Sequence, residues 1–277
     1  MPTYVVKANG EREAYDPAKL TRTLMRAGAS EEHAKTIVTN VRVYDGMPTK
    51  DLLRKVLTML RSTPAIASRY DLKGALMRLG PTGFTFEKMV ARLLEEYGYI
   101  TKTNLMLRGT CVTHETDVIA SKNGKTAFVE CKYHNESGIY TGLHVSMYTW
   151  ARFVDLSEGA KAGLCEPIDA GWLVTNTKFS SDAATFGTCR GLRLIGWNFP
   201  KDHGIAHMIE SRNLWPVTVF RLDTYTLEQL AAARLLLVKD ICGMNPEKLS
   251  KKIKIPRPKA DELVRQAREL CGQAFHN

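Results

Sequence analysis

The sequence lacks the features of membrane, secreted and zinc-binding proteins. No stretch approaches the roughly 18 consecutive apolar residues that a membrane-spanning helix needs. The N-terminus from Met1 to Lys7 has no basic-then-apolar signal peptide. The six cysteines are far apart and form no C-x-x-C pair, which excludes the usual zinc-ligand spacing and indicates reduced thiols. We therefore expect a cytoplasmic protein without membrane contact.

Negative charge is scarce at both ends of the chain. The 277 residues carry 39 Lys and Arg against 29 Asp and Glu, a net charge of +10. Residues 1–80 have 14 basic against 8 acidic residues, and residues 239–277 have 9 against 5. Residues 81–215 have 14 of each. This distribution favours a polyanionic partner bound by the ends, such as nucleic acid, while the middle segment keeps its carboxylates for another purpose.

Turn-rich breaks divide the chain into three segments. At roughly 100–200 residues per domain, the length predicts two domains or three small ones. Gly80-Pro81-Thr82-Gly83 forms the first break and Trp215-Pro216 the second. We predict domains at residues 1–82, 83–215 and 216–277.

The first segment has the pattern of a β-hairpin followed by four helices. Asn9-Gly10 separates two short strands, and a two-residue turn of this composition is typical of hairpins. Side chains that can cap a helix N-terminus precede the first three apolar helical patterns, and the fourth pattern runs from about Pro64 to Leu79. The predicted caps are Asp16, Ser30 and Thr49.

The hairpin and bundle resemble the ATP-cone, the nucleotide-sensing domain of ribonucleotide reductases. The resemblance lies in Val6-Lys7, Asn9-Gly10, Tyr15-Asp16 and Lys19-Leu20 at their spacing. It implies that ATP or dATP binds as an effector and is not consumed. Lys7 and Lys19 would converge on the triphosphate, while Glu13 and Asp16 would accept hydrogen bonds. Ala8 stands where the family often has a second basic residue. The phosphates are therefore expected to be bound more weakly or by another Lys or Arg.

The middle segment contains a second hairpin, in which polar residues share a face. Its strands flank Asn123-Gly124, and a two-residue loop there places Asp117 opposite Glu130 and Glu115 opposite Lys132. Because side chains alternate along a strand, these four lie on one face. The other face is apolar and is predicted to be the core.

Opposed carboxylates repel each other unless a cation neutralises them. Carboxylate oxygens at high charge density favour Mg²⁺ or Mn²⁺. Lys132, two residues after Glu130, can position a water molecule and stabilise charge on a phosphoryl group. Asp117, Glu130 and Lys132 therefore supply the groups for metal-assisted phosphodiester hydrolysis.

Asp117 and Glu130-Cys131-Lys132 resemble the PD-(D/E)xK nuclease motif. The surrounding pattern predicts the order αβββαβ of the restriction-endonuclease-like core, in an α/β fold. Phe86-Glu87 in the first helix and Thr175-Asn176-Thr177-Lys178 after the third core strand resemble the Mrr-type branch. By that resemblance Glu87 would join the metal site, whereas from spacing alone it is a polar residue beside a buried stripe.

Three neighbouring residues have less defined roles. His114 is interpreted as a strand-end histidine with a structural hydrogen bond. Glu115 either pairs with Lys132 or is a further carboxylate at the metal. Cys131 faces the core and is a packing residue.

The last segment is helical and basic. Leu263, Ala267 and Leu270 recur on one stripe of its final helix, predicted to begin near Ala260. The preceding helix and the turn at Ile255 to Pro258 faintly resemble a helix-hairpin-helix DNA-backbone binder, without its glycine-rich turn. The alternative is a basic cap that covers the nuclease core.

Taken together, the patterns predict a Mg²⁺-dependent, type II/IV-like endonuclease of the Mrr type that acts on DNA and responds to a nucleotide effector. Cleavage of both strands needs two sites, so a homodimer or higher homo-oligomer is expected. Two alternatives remain. One is a nucleotide-gated DNA-binding regulator without catalysis, and the other is a nuclease for RNA, branched DNA or modified DNA.

Overall fold

The computed structural model describes residues 2–80 and 83–272. The predicted boundary between the first two domains falls at Pro81 and Thr82, which lie outside the described residues. None of the helices in the described ranges is both long and apolar enough to cross a bilayer.

The N-terminal part combines a three-stranded sheet, in the order β2-β1-β3, with a group of helices. The elements are β1 (Tyr4–Val6), β2 (Arg12–Ala14), α1 (Pro17–Arg26), α2 (Glu31–Asn40), β3 (Met47–Pro48), α3 (Thr49–Met59), α4 (Pro64–Tyr70) and α5 (Leu72–Met77). The hairpin forms as predicted, with Val5 opposite Glu13. Asp16 Oδ1 accepts a hydrogen bond from the Ala18 backbone at 2.8 Å, and Ser30 Oγ accepts one from His33, so both predicted caps are confirmed.

Two expectations for these helices are wrong. Thr49 does not cap α3 but is its first residue, because Met47-Pro48 stays extended to pair with β1. The single helix predicted from Pro64 to Leu79 is broken at Asp71. The break lets α4 pack Ile66 and Tyr70 against the N-terminal core, while α5 contributes Leu76 to a second core shared with the rest of the chain.

The middle of the chain forms a mixed five-stranded sheet in the order β10-β8-β6-β5-β4. The elements are α6 (Phe84–Glu96), β4 (Ile100–Arg108), β5 (Thr113–Lys122), β6 (Lys125–Lys132), β7 (Tyr140–Thr141), α7 (Leu143–Lys161), β8 (Ala170–Thr175), β9 (Lys178–Phe179), α8 (Ser181–Cys189) and β10 (Arg193–Ile195). The strands β4, β5 and β6 are antiparallel, whereas β6, β8 and β10 are parallel. From α6 to β8, apart from the short β7, the order is the predicted αβββαβ.

Helices cover both faces of this sheet. Phe86 and Val90 of α6 belong to the same buried cluster as Val118 and Val129. On the other face, Ile119 and Phe128 are buried with Leu156 of α7. The face predicted to carry the four polar residues is therefore covered by α7 over most of its length. Only the end of the hairpin farthest from its turn is available.

The close approach of α7 to the end of β4 depends on Gly159. A Cβ atom at this position would lie 2.7 Å from the Arg108 carbonyl oxygen and 2.8 Å from Gly109 Cα, and both are backbone atoms. We expect Gly159→Ala to destabilise the protein by about 1–3 kcal/mol, although alanine in a helix interior is usually better than glycine by about 0.5–1 kcal/mol.

The measurement is the free energy of unfolding from urea denaturation. Gly243→Ala is the matched control, because a Cβ there meets no atom within 4 Å. Equal free energies of unfolding for the two variants would show that the close backbone contact at Gly159 does not affect stability.

The C-terminal part is helical and packs on the sheet unit. Its elements are α9 (Ile205–Glu210), a 3₁₀ helix (Val217–Phe220), α10 (Thr224–Ala232), α11 (Val238–Cys242), α12 (Pro246–Ile253) and α13 (Arg257–Gly272). Leu263, Ala267 and Leu270 are buried, as predicted. The helix starts at Arg257 and not near Ala260, since Lys254 in the left-handed region ends α12 (φ 53°) and Ile255-Pro256 completes the turn. These apolar residues join the same core as α6, the arrangement expected of a cap.

Candidate active site

The predicted catalytic residues lie at the end of the β5–β6 hairpin. Paired residues run from Lys122 opposite Lys125 to Val118 opposite Val129, which is the register predicted from the Asn-Gly turn. Beyond Val118 the next residue, Asp117, accepts a hydrogen bond through Oδ2 from the backbone N–H of Cys131 at 2.7 Å. Asp117 is thus held beside the segment of β6 that carries Glu130 and Lys132.

An irregularity in the neighbouring strand marks the same point. Asn104 of β4 has φ of 56° and falls between the Thr103–Val118 and Leu105–Thr116 pairs, opposite Asp117. A non-glycine residue in the left-handed region is uncommon, and asparagine tolerates it better than most. The sheet is therefore interrupted where Asp117 projects.

Burial dominates the electrostatics of the three predicted carboxylates, and the charge of Asp117 adds to its effect on Glu87 and Glu130. Burial, with added repulsion from Asp117 and Glu115, raises the pKa of Glu87 to about 7. Burial, with repulsion from Asp117, also raises the pKa of Glu130 to about 7, against the opposing effect of Arg152. Burial raises the pKa of Asp117 as well. The fold therefore brings Glu87, Asp117 and Glu130 within electrostatic reach of one another.

Sequence reasoning missed Arg152, a buried residue of α7. Its guanidinium forms an ion pair with Glu130 Oε2 and also donates to the Glu115 carbonyl oxygen. It lies over the rings of Phe128 at 5.1 Å and Tyr148 at 5.3 Å. The available signal was a single arginine inside the otherwise apolar stretch of residues 143–157. The cation that neutralises Glu130 in this structure is therefore a side chain of the protein.

The neighbours of these residues have mainly structural contacts. His114 Nε2 lies 2.8 Å from Asp155 Oδ2 in α7, so the predicted structural hydrogen bond is present. Burial raises the pKa of the Cys131 thiol well above its ordinary value, which agrees with a packing residue. In residues 2–80 and 83–272, no ion pair joins Glu115 to Lys132. The Glu115 carboxylate instead adds negative charge near Glu87 and Asp117.

The donor set suits a hard divalent cation. Three partly buried carboxylates, two of which have their pKa values raised further by the charge of Asp117, are the oxygen ligands that Mg²⁺ and Mn²⁺ prefer. Within the described ranges, no three Asp, Glu, His or Cys side chains are already arranged as a metal site. The backbone N–H of Cys131 donates to Asp117 Oδ2, and Arg152 pairs with Glu130 Oε2. A cation bound to Glu130 Oε2 would have to displace Arg152.

The four residues expected to bind a nucleotide are held by ion pairs and a helix cap. Lys7 Nζ lies 2.5 Å from Glu13 Oε2, and Lys19 pairs with the other oxygen of the same carboxylate. The two ammonium groups thus converge as expected, but on Glu13. Asp16 caps α1 and pairs with Arg22 at 3.3 Å.

The two lysines hold the pKa of Glu13 at about 2, below its ordinary value of 4.5. A lowered folded-state pKa means that the stabilisation is complete above pH 4.5 and is lost as the pH falls towards 2. We expect the wild type to exceed Glu13→Gln in stability by about 1 kcal/mol at pH 7, the scale of partly exposed ion pairs, and by much less at pH 3. Urea denaturation of both proteins at the two pH values measures the difference. A gap that does not change with pH would contradict the assigned ion pairs.

The family comparisons agree with this geometry. Residues 80–197 match the family model described as "Restriction endonuclease", and residues 215–271 match the one described as "AF1548-like, C-terminal". The fold and this match define residues 80–197 as an Mrr-type nuclease-like domain.

A relative and a solved structure extend the match. An uncharacterised protein of Archaeoglobus fulgidus is 41% identical over 183 residues, which is 66% of this chain and all of the relative. The crystal structure of the protein of unknown function AF1548 has 40% identity and a TM-score of 0.60, covering 69% of this chain and 99% of that chain. The chain therefore belongs to the AF1548-like family.

Proposed function

We propose that this protein is a Mg²⁺- or Mn²⁺-dependent endonuclease that hydrolyses DNA phosphodiester bonds. The observation that carries the proposal is the group of partly buried carboxylates Glu87, Asp117 and Glu130, in which the charge of Asp117 raises the pKa values of the other two, beside Lys132 in a nuclease-family segment. Such a group is costly for the fold unless it has a cation to bind.

Asp117 and Glu130 are the proposed metal ligands, and Glu87 completes the site from the first turn of α6. A bound divalent cation would supply positive charge to the scissile phosphate and acidify a water molecule. Lys132 follows Glu130 by two residues and is exposed, so its ammonium group is free to orient the attacking water and stabilise charge on the phosphate. Arg152 holds Glu130 while the cation is absent.

The contact between Arg152 and Glu130 also favours a second candidate function. A guanidinium that permanently replaces the cation would leave a DNA-binding protein without catalysis. The two functions differ in whether Glu130 can bind a divalent cation in the presence of Arg152.

Cleavage of supercoiled plasmid DNA in Mg²⁺, compared with EDTA, tests the proposal. We expect nicked or linear products in Mg²⁺ and none in EDTA. Parallel reactions on methylated plasmid, branched DNA and RNA define the substrate. Binding of these substrates without cleavage of any of them would support the non-catalytic candidate.

We further propose that ATP or dATP binds the N-terminal domain, residues 1–82, as an effector. The convergence of Lys7 and Lys19 on one carboxylate supports this, because a triphosphate could replace Glu13 between them. Binding of a fluorescent ATP analogue is expected to weaken at least about tenfold in Lys19→Ala. Lys35→Ala is the control, since that lysine pairs with Glu31 on α2. Equal affinities of the two variants would contradict the assignment.

A further inference from the structure

A large basic cleft lies between the N-terminal helices and the sheet unit. Its volume is about 1,190 Å³, and its walls are α3, α4 and α5 on one side and the segment after β6 (residues 135–140) on the other. Of its lining residues, eight are Lys or Arg and two are Asp or Glu. The cleft is therefore a strongly positive surface within a concave site.

Five of these eight basic residues pair with no carboxylate in the described part of the chain. Lys7, Arg54 and Arg78 pair with Glu13, Asp51 and Asp71. For the other five, no carboxylate of residues 2–80 and 83–272 lies within 4.0 Å. They are Lys50, Arg61, Lys73, Lys178 and Arg221. Unpaired cations that face a shared cleft are available to bind an anion.

Lys73 and Lys178 provide a second, independent observation. Burial lowers the pKa of Lys73, and the positive charge of Lys178 lowers it further. Two ammonium groups that repel each other in a partly buried site destabilise the fold, and an anion between them would remove that cost. The arrangement is the positive counterpart of the carboxylate group at the candidate active site.

One wall of the cleft belongs to the chain segment that leaves the end of the sheet carrying that site. Its far wall, residues 135–140, begins three residues after Lys132, and between them the Tyr133 hydroxyl donates a 2.6 Å hydrogen bond to the Met77 carbonyl oxygen at the end of α5. Lys178 follows β8, the parallel neighbour of β6, and Asn176 hydrogen-bonds both backbone groups of His134. Chain segments leaving the carboxyl ends of two adjacent strands thus contribute to the cleft.

Size and composition identify the class of ligand. Sites for small molecules usually measure about 300–1,000 Å³, so the cleft exceeds what a mononucleotide fills. A positive groove with an aromatic side chain for base stacking is typical of single-strand binding, and the exposed Tyr140 lines this cleft.

We propose that the cleft binds a single strand of nucleic acid through its phosphates and leads that strand to Lys132 at the carboxyl end of β6. The direction of the strand rests on the proposed nuclease function, whereas binding in the cleft does not. The protein would then act on DNA with an unpaired segment, such as a flap, a bubble or a branch.

The test is the affinity for a fluorescent oligothymidylate of about 15 nucleotides, measured by anisotropy in EDTA so that nothing is cut. The cleft variant is Lys73→Gln with Lys178→Gln. The matched control is Lys125→Gln with Lys161→Gln, which removes the same charge from residues that do not line the cleft. Thermal unfolding of both variants shows that they are folded.

We expect the control to bind as the wild type does and the cleft variant to bind at least about tenfold more weakly. The slope of log affinity against log salt should fall by about 1.4 for two lost single-strand phosphate contacts. Equal affinity of the two variants would overturn the inference, as would equal losses for single-stranded and duplex DNA. Loss of ATP binding with retained oligonucleotide binding would assign the cleft to the nucleotide instead. Plasmid cleavage by the wild type is a separate readout, and its failure would remove the nuclease function but not the binding site.

Discussion

Replacement of Lys132 with alanine is expected to lower the rate of DNA cleavage by a factor on the order of 10²–10³. The exposed ammonium group contacts no carboxylate within 4.0 Å in the described part of the chain, so its removal leaves no buried charge without a partner. The loss should therefore appear in the chemical step and leave stability unchanged. Single-turnover cleavage at saturating protein measures it.

Lys125→Ala is the matched control for this prediction. Lys125 is an exposed lysine at the other end of the same strand, next to the Asn123-Gly124 turn. The two variants change charge equally, so a difference in rate reports position. Similar rates for both variants would remove Lys132 from the proposed mechanism.

Replacement of Arg152 with methionine is expected to destabilise the protein by about 3–5 kcal/mol at pH 8. Arg152 is the buried partner of Glu130, and its removal leaves that carboxylate desolvated beside Asp117. The contacts with Phe128 and Tyr148 are partly kept by the methionine side chain. The free energy of unfolding from urea denaturation gives the loss.

A second substitution separates the charge effect from lost packing. Glu130→Gln removes the negative charge, so Arg152→Met should cost much less in the Glu130→Gln background than in the wild type. The difference between the two costs is the coupling energy of the pair. If the cost is the same in both backgrounds, Arg152 stabilises the fold by packing alone and does not serve as the cation of Glu130.

The hairpin that carries the candidate site could be predicted because local chemistry determines its register. Asn123-Gly124 favours a two-residue turn, and such a turn determines which residues face each other along both strands. The same is true of the caps at Asp16 and Ser30, where one side chain satisfies the start of a helix.

Features that depend on distant contacts could not be predicted in the same way. The strand β4 lies at the edge of the sheet, and its residues alternate between exposed and half-buried. Because Ile100 and Met106 are exposed, its pattern does not resemble that of a core strand. The break at Asp71 follows from packing, because α4 contacts the N-terminal core through Ile66 and Tyr70 whereas α5 packs only in the larger core. Arg152 acquires its role only when α7 packs across the sheet.

Calorimetric titration of Mn²⁺ into the wild type and Glu130→Gln tests the central claim, that these carboxylates form a divalent-cation site. Lys132→Ala is the internal control, because Lys132 is not a proposed metal ligand. The account predicts binding to the wild type and to Lys132→Ala, with at least about tenfold weaker binding to Glu130→Gln. Binding that is equally strong in Glu130→Gln, or absent from the wild type, would contradict it.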